Sequence, residues 1–129
     1  MARTCCLAGI DCALLSMFAG VFKGAGISDP ATLARLDVSE LGRLHPDTLV
    51  CDLDDLEVDP LELLRRIRFV LPECVIAVYT GLLEREWGLA CHLAGANCLL
   101  SKGSDARELS AGLHGALRTG CYTNPCFST

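Results

Sequence analysis

Short apolar runs alternate along this chain with segments whose apolar residues recur every three to four positions. The first run is TCCLAGI at 4–10. Leu14, Phe18, Val21 and Phe22 then fall at helical spacing, which predicts a helix over about 12–24 with one buried face, ended by Gly24 and Gly26. ATLARL at 31–36 reads as a short second strand, and SELGRLH as a short helix capped by Asp37 or Ser39. TLVCD at 48–52 is a continuous apolar run that stops on acid, the pattern of a strand buried on both faces. Pro60 opens a helix carrying Leu63, Leu64, Ile67, Val70 and Leu71. CVIAVYT at 74–80 is a fourth strand, followed by a helix marked by Leu83, Trp87, Cys91 and Ala94. NCLLSK at 97–102 is a fifth, and Ser104 is placed to cap a last helix burying Leu109, Leu113 and Leu117. Strand and helix alternate throughout. The pattern predicts an α/β fold, a doubly wound five-stranded parallel sheet of (βα)₅ type.

In such a sheet, ligands sit beyond the carboxyl ends of the strands, where the strand order reverses. The residues found there are Asp11 after the first strand, Asp52 after the third, Thr80 after the fourth and Lys102 after the fifth. Carboxylates suit a hard cation such as Mg²⁺, while an ammonium and a hydroxyl suit phosphoryl oxygens. An Asp carboxylate is also a competent nucleophile toward phosphorus. Each residue has a plainer reading as well. Asp11 alone is an N-cap, Thr80 a strand end and Lys102 a surface lysine. Asp54, Asp55, Glu57 and Asp59 read as a solvated acidic loop. Arg65, Arg66 and Arg68 read as the exposed face of the third helix, and His45, His92 and His114 have no paired partners.

Composition narrows the class. At 129 residues, with 51% apolar and 21% charged, the chain is one folded domain and not a disordered segment. A net charge of −5 argues against gripping phosphate backbones. Aromatics are only 5%, so Leu, Val, Ile, Ala and Cys must fill the core. The nine cysteines are odd in number and form no CxxC pair, which speaks against a disulfide scaffold and against zinc at Cys91, His92, Cys98, Cys121 and Cys126. They read as small hydrophobes in a reducing cytoplasm. The longest uncharged stretch, 88–101, is too short and polar to span a bilayer, so no membrane role is expected.

The sequence resembles, over nearly its whole length, the receiver domain of bacterial two-component response regulators. PDTLVCDLDDLEVDPLELLRRIR resembles the stretch around the family's phosphorylated aspartate. VIAVYTG resembles its fourth strand with the hydroxyl residue, AGANCLLSKGSDARELSAGLHGAL its fifth strand, lysine and last helix, and GIDCALL its acidic turn. The resemblance implies a flavodoxin-like (CheY-like) fold with Asp52 as phosphoacceptor, read by Thr80 and Lys102. It further implies Mg²⁺ held by Asp11, Asp52 and the backbone carbonyl of Asp54. A histidine kinase or phosphotransfer protein would be the donor, in a cytoplasmic phosphorelay, with a possible homodimer. The resemblance implies a signalling domain and not an enzyme. RTGCYTNP is similar to the end of receivers that precede a LuxR-type helix-turn-helix (the NarL/FixJ group). That likeness implies a receiver at 1–120, a tail or linker start at 121–129, and control of transcription, with DNA contacted only through an output domain outside these residues.

Several positions depart from the family pattern. Ile10 stands where the first of two adjacent acids is usual, which weakens Mg²⁺ binding unless the side chain of Asp54 or Asp55 substitutes. Leu99 stands where an aromatic switch residue is usual, Gly103 where proline is frequent, and the segment before the third strand is shorter. Ile10 and Leu99 favour a rival reading, an atypical receiver that works without phosphorylation as an interaction or dimerisation module. The presence of Asp52, Thr80 and Lys102 opposes it. A flavodoxin-like enzyme would want a Gly-rich phosphate loop after the first strand, and the sequence has none there.

Overall fold

The computed structural model describes residues 4–27 and 30–128. Strand β1 (Cys5–Ala8) leads through a 3₁₀ turn (Cys12–Leu14) into α1 (Leu15–Gly24). There follow β2 (Ala31–Leu33), α2 (Val38–Leu44), β3 (Thr48–Cys51), α3 (Pro60–Val70), β4 (Val75–Thr80) and α4 (Arg85–Ala94). The chain ends with β5 (Cys98–Ser101), α5 (Ala106–Thr119), β6 (Tyr122–Thr123) and a second 3₁₀ turn (Pro125–Ser128). The sheet runs β2-β1-β3-β4-β5-β6 with every pairing parallel. The predicted doubly wound parallel sheet is therefore present, and its order reverses between β1 and β3.

Alternation along the buried strands splits the core in two. Leu49, Cys51, Ile76, Val78 and Leu99 face Leu64, Ile67 and Cys91 on the α2–α3–α4 side. Leu7, Val50, Ala77 and Leu100 face Phe18, Phe22, Leu109 and Leu113 on the α1–α5 side. Cysteines 6, 51, 74, 91 and 98 are buried among these apolar residues, the filler role that the composition predicts.

Three features differ from the sequence reading. The last helix is capped by Asp105 and not Ser104, because Asp105 and Glu108 form a reciprocal capping box. Ser104 instead accepts a hydrogen bond from Asn124 Nδ2 at 3.0 Å. A sixth strand, two residues long, is added outside β5. Behind it the Tyr122 ring lies so close to α5 that a Cβ at Gly112 would meet it at 2.6 Å, and Phe127 is buried against Gly88 and beside Leu99. Finally, Arg68 is not on an exposed face. Its guanidinium donates to Gly95 O (2.7 and 3.0 Å), Leu71 O (2.9 Å), Pro72 O (3.2 Å), Cys74 O (2.9 Å) and Asn97 Oδ1 (2.6 Å). The fork reaches past the end of α3 and satisfies carbonyls that the turns leave open.

Candidate functional site

Three neighbouring parallel strands deliver the site. Asp52 follows β3, Thr80 is the last residue of β4 and Lys102 follows β5, so all three emerge at the carboxyl edge. The Lys102 ammonium stands 2.8 Å from Asp52 Oδ2 and 3.0 Å from Asp54 Oδ2. Its Nζ also lies 5.9 Å from the centre of the Tyr79 ring, which Phe18 supports edge-on at 4.9 Å.

The turn after Asp52 decides where Asp54 goes. Leu53 is buried, and the Asp54 N–H donates to Asp52 Oδ1 at 2.8 Å, closing a turn on the first carboxylate. Asp55 then adopts φ +58°, a left-handed conformation that Asp tolerates, and carries the chain outward. The Asp54 side chain is thereby folded in. Its Oδ1 accepts the Thr80 hydroxyl at 2.6 Å, and its Oδ2 accepts the Gly81 N–H at 2.8 Å. Thr80 is fully buried, and its oxygen accepts in turn from Leu82 N (3.0 Å) and Trp87 Nε1 (3.3 Å). Side-chain exposure is 19% for Asp52, 11% for Asp54 and 34% for Lys102, so the acids are more sheltered than the base between them.

Charge follows the geometry. Desolvation pulls the Asp54 carboxyl up, but the Gly81 N–H, the Thr80 hydroxyl and Lys102 together outweigh it and hold Asp54 below the ordinary carboxylate value. Desolvation pulls Lys102 down, and Asp52 and Asp54 more than restore it. The cluster carries two negative charges and one positive.

Asp11 does not join them. It is exposed, and its Oδ1 accepts the Ala13 N–H at 2.9 Å, capping the turn into α1. It lines a cavity with Gly9, Ile10, Thr32 and Leu33, on the β2 side of the crevice. Ile10, where a second acid is usual, is only 7% exposed and belongs to the core around Leu7 and Phe18. Among the described residues no three His, Cys, Asp or Glu side chains gather to hold a metal ion. Of the expected Mg²⁺ ligands, Asp52 lies in the cluster and Asp11 is turned to capping; position 10 holds a core side chain, and the Asp54 carboxylate, a proposed substitute for the acid usual there, is already engaged by three donors. Asp55, the other proposed substitute, is exposed.

Sequence reasoning missed three features: the Asp54 carboxylate sheltered among the site's donors where a solvated acidic loop was expected, the Gly81 N–H and Trp87 Nε1. The Asp-x-Asp spacing was a usable signal for the first, since an Asp side chain commonly accepts from the N–H two residues on. A backbone N–H leaves no mark in the text.

Comparison with solved structures gives the architecture a class. A LuxR-family two-component response regulator from Aurantimonas sp. SI85-9A1 superposes with TM-score 0.79 at 23% identity, over 99% of this chain and 94% of that one. The isolated REC domain of RcsB from Salmonella enterica serovar Typhimurium, in the presence of phosphomimetic BeF₃⁻, matches with TM-score 0.79 at 18% identity, over 99% and 97%. A putative response regulator from Chloroflexus aurantiacus J-10-fl matches with TM-score 0.76 at 24% identity, over 92% and 99%. No protein-family model and no curated protein matches the sequence. The chain has the CheY-like receiver fold of response regulators. Among the described residues no helix is long and apolar enough to cross a membrane.

Proposed function

We propose that this chain is a receiver-type signalling module in which Asp52 accepts a phosphoryl group from a histidine kinase or phosphotransfer protein. The observation that carries this reading is the Lys102 ammonium, 2.8 Å from Asp52 Oδ2 at the mouth of the sheet, with the Thr80 hydroxyl on the strand between them. An Asp52 carboxylate oxygen would form the new bond to phosphorus. The bond from phosphorus to the donor's leaving atom breaks, and its electron pair departs with the donor. Lys102 offsets the charge gathering on the phosphoryl oxygens. The response would pass through Thr80 and Trp87 to α4, and from there to a transcriptional output domain or a second copy of the chain in a cytoplasmic phosphorelay.

Incubation with acetyl phosphate and Mg²⁺ tests this. Intact-mass spectrometry should show a gain of one phosphoryl group that Asp52→Asn abolishes; a wild-type protein that gains nothing rejects the reading. The rival, a module that signals without phosphorylation, draws support from the burial of Ile10 in the core. It expects no mass gain at any donor concentration.

A further inference from the structure

The donors gathered around Asp54 and Lys102 at this rim can be counted proton by proton. The Thr80 hydroxyl has one proton, given to Asp54 Oδ1, and both its lone pairs receive N–H groups, from Leu82 and Trp87. The Gly81 N–H also has one proton, given to Asp54 Oδ2. Lys102 has three, of which one points to Asp52 and one to Asp54. Both single-proton donors at the site are thus spent on one internal carboxylate, held 11% exposed by the turn that Asp52 itself closes. A hydroxyl, a backbone N–H and an ammonium converging on two oxygens make an oxyanion seat, and here the seat is filled from within.

We propose that the Asp54 carboxylate is the resident occupant of this seat, so that the domain without phosphate already holds Thr80 and Trp87 in an anion-engaged arrangement. The part that concerns phosphate rests on the reading of Asp52 as acceptor: a phosphoryl group arriving there must displace the Asp54 side chain before Thr80 and Gly81 can bind it. Asp54 therefore slows phosphoryl uptake and mutes the change that uptake produces at Trp87.

Trp87 is the only tryptophan of the chain, so its fluorescence reports the seat directly. Wild type, Asp54→Ala and Asp54→Asn are compared without phosphodonor, with beryllofluoride, and with acetyl phosphate and Mg²⁺. Emptying the seat should shift Trp87 emission in Asp54→Ala with no donor present, and beryllofluoride should return it toward the wild-type spectrum. Wild-type emission should hardly respond to beryllofluoride. Labelling by acetyl phosphate should be at least about tenfold faster in either variant than in wild type. Asp54→Asn keeps the side-chain shape, so the comparison survives if the alanine variant folds poorly. Equal emission and equal labelling rates in all three proteins would overturn the proposal while leaving Asp52 as acceptor. A shifted Trp87 signal with no phosphoryl uptake in any protein would uphold the filled seat and reject the acceptor reading instead.

Discussion

Lys102 and Asp52 form the contact on which the site turns, 2.8 Å from ammonium to carboxylate, at the ends of β5 and β3 with β4 running between them. The same ammonium separates Asp52 from Asp54. Lys102→Ala should leave two sheltered carboxylates without a cation, lowering unfolding free energy by about 1–2 kcal/mol in urea melts. Phosphoryl uptake from acetyl phosphate should fall by at least about tenfold. A variant that labels at the wild-type rate would remove Lys102 from the chemistry.

Arg68 is a larger structural commitment. Arg68→Ala leaves the carbonyls of Gly95, Pro72 and Cys74 without this donor, and Leu71 O with only the Cys74 N–H at 3.3 Å, and should cost about 2–4 kcal/mol in denaturant unfolding. Arg68→Lys should recover less than half of that, because an ammonium cannot reproduce the planar fork. Gly95 sits at φ +128°, where an added Cβ would also fall 2.7 Å from Arg68 Cβ. Gly95→Ala should therefore destabilise, and somewhat less so in the Arg68→Ala background, which keeps the Cβ at 2.7 Å but removes Cγ (3.0 Å) and Nε (3.3 Å). Strict additivity in that double-mutant cycle would show the contact to be inert.

Thiol reactivity should divide the cysteines sharply. Burial pushes Cys6 up to about 11 and Cys74, Cys91 and Cys98 to about 12, and Cys51 higher still. Exposed Cys12 and Cys121 should be alkylated by iodoacetamide at pH 8 within minutes. Those five should react only after denaturant is added. Peptide mapping that finds Cys98 modified in the native protein would contradict its burial.

At alkaline pH the two tyrosines set a limit. Desolvation raises the phenols of both Tyr79 and Tyr122; Lys102 draws Tyr79 part of the way back, and Cys98 and Glu108 push Tyr122 further up. Each holds its proton more tightly folded than unfolded. Their contribution to stability is complete below the ordinary value of 10 and is lost as pH rises past it toward the folded values. Tyrosinate absorbance of the native protein should lag that of the urea-unfolded chain, and the urea midpoint should fall over the same range. Coincident titrations would contradict the shift.

Much of this molecule was readable as text, for reasons that also explain what was not. Strands β3, β4 and β5 are apolar runs because helices cover both faces, and Asp52, Thr80 and Lys102 stood out as polar residues at their ends. Arg68 was misread because helical spacing shows which side of a helix a residue starts from, not how far a long fork reaches beyond its end. Asp105 was overlooked beside Ser104, although Glu108 three residues on was the signal. Strand β6 is too short to have a period. Asp54 was read as part of a solvated acidic loop because the turn that brings its side chain inward depends on a left-handed Asp55, which no hydrophobic pattern announces.

Arg68 and Asn97 have one more consequence. Asn97 accepts from Arg68 and from the Ile76 N–H, and donates to Gly120 O, so α3, β4, β5 and the end of α5 share one knot at the amino-terminal edge. At the opposite edge, Asp52, Asp54, Thr80 and Lys102 are joined by side chains that can exchange partners without moving a strand. The floor of the sheet is masonry and its mouth is a switchboard. On the proposed reading, a group bound at Asp52 would meet the exchangeable contacts of the rim, through Thr80 to Trp87 and α4, and not the knot at the floor.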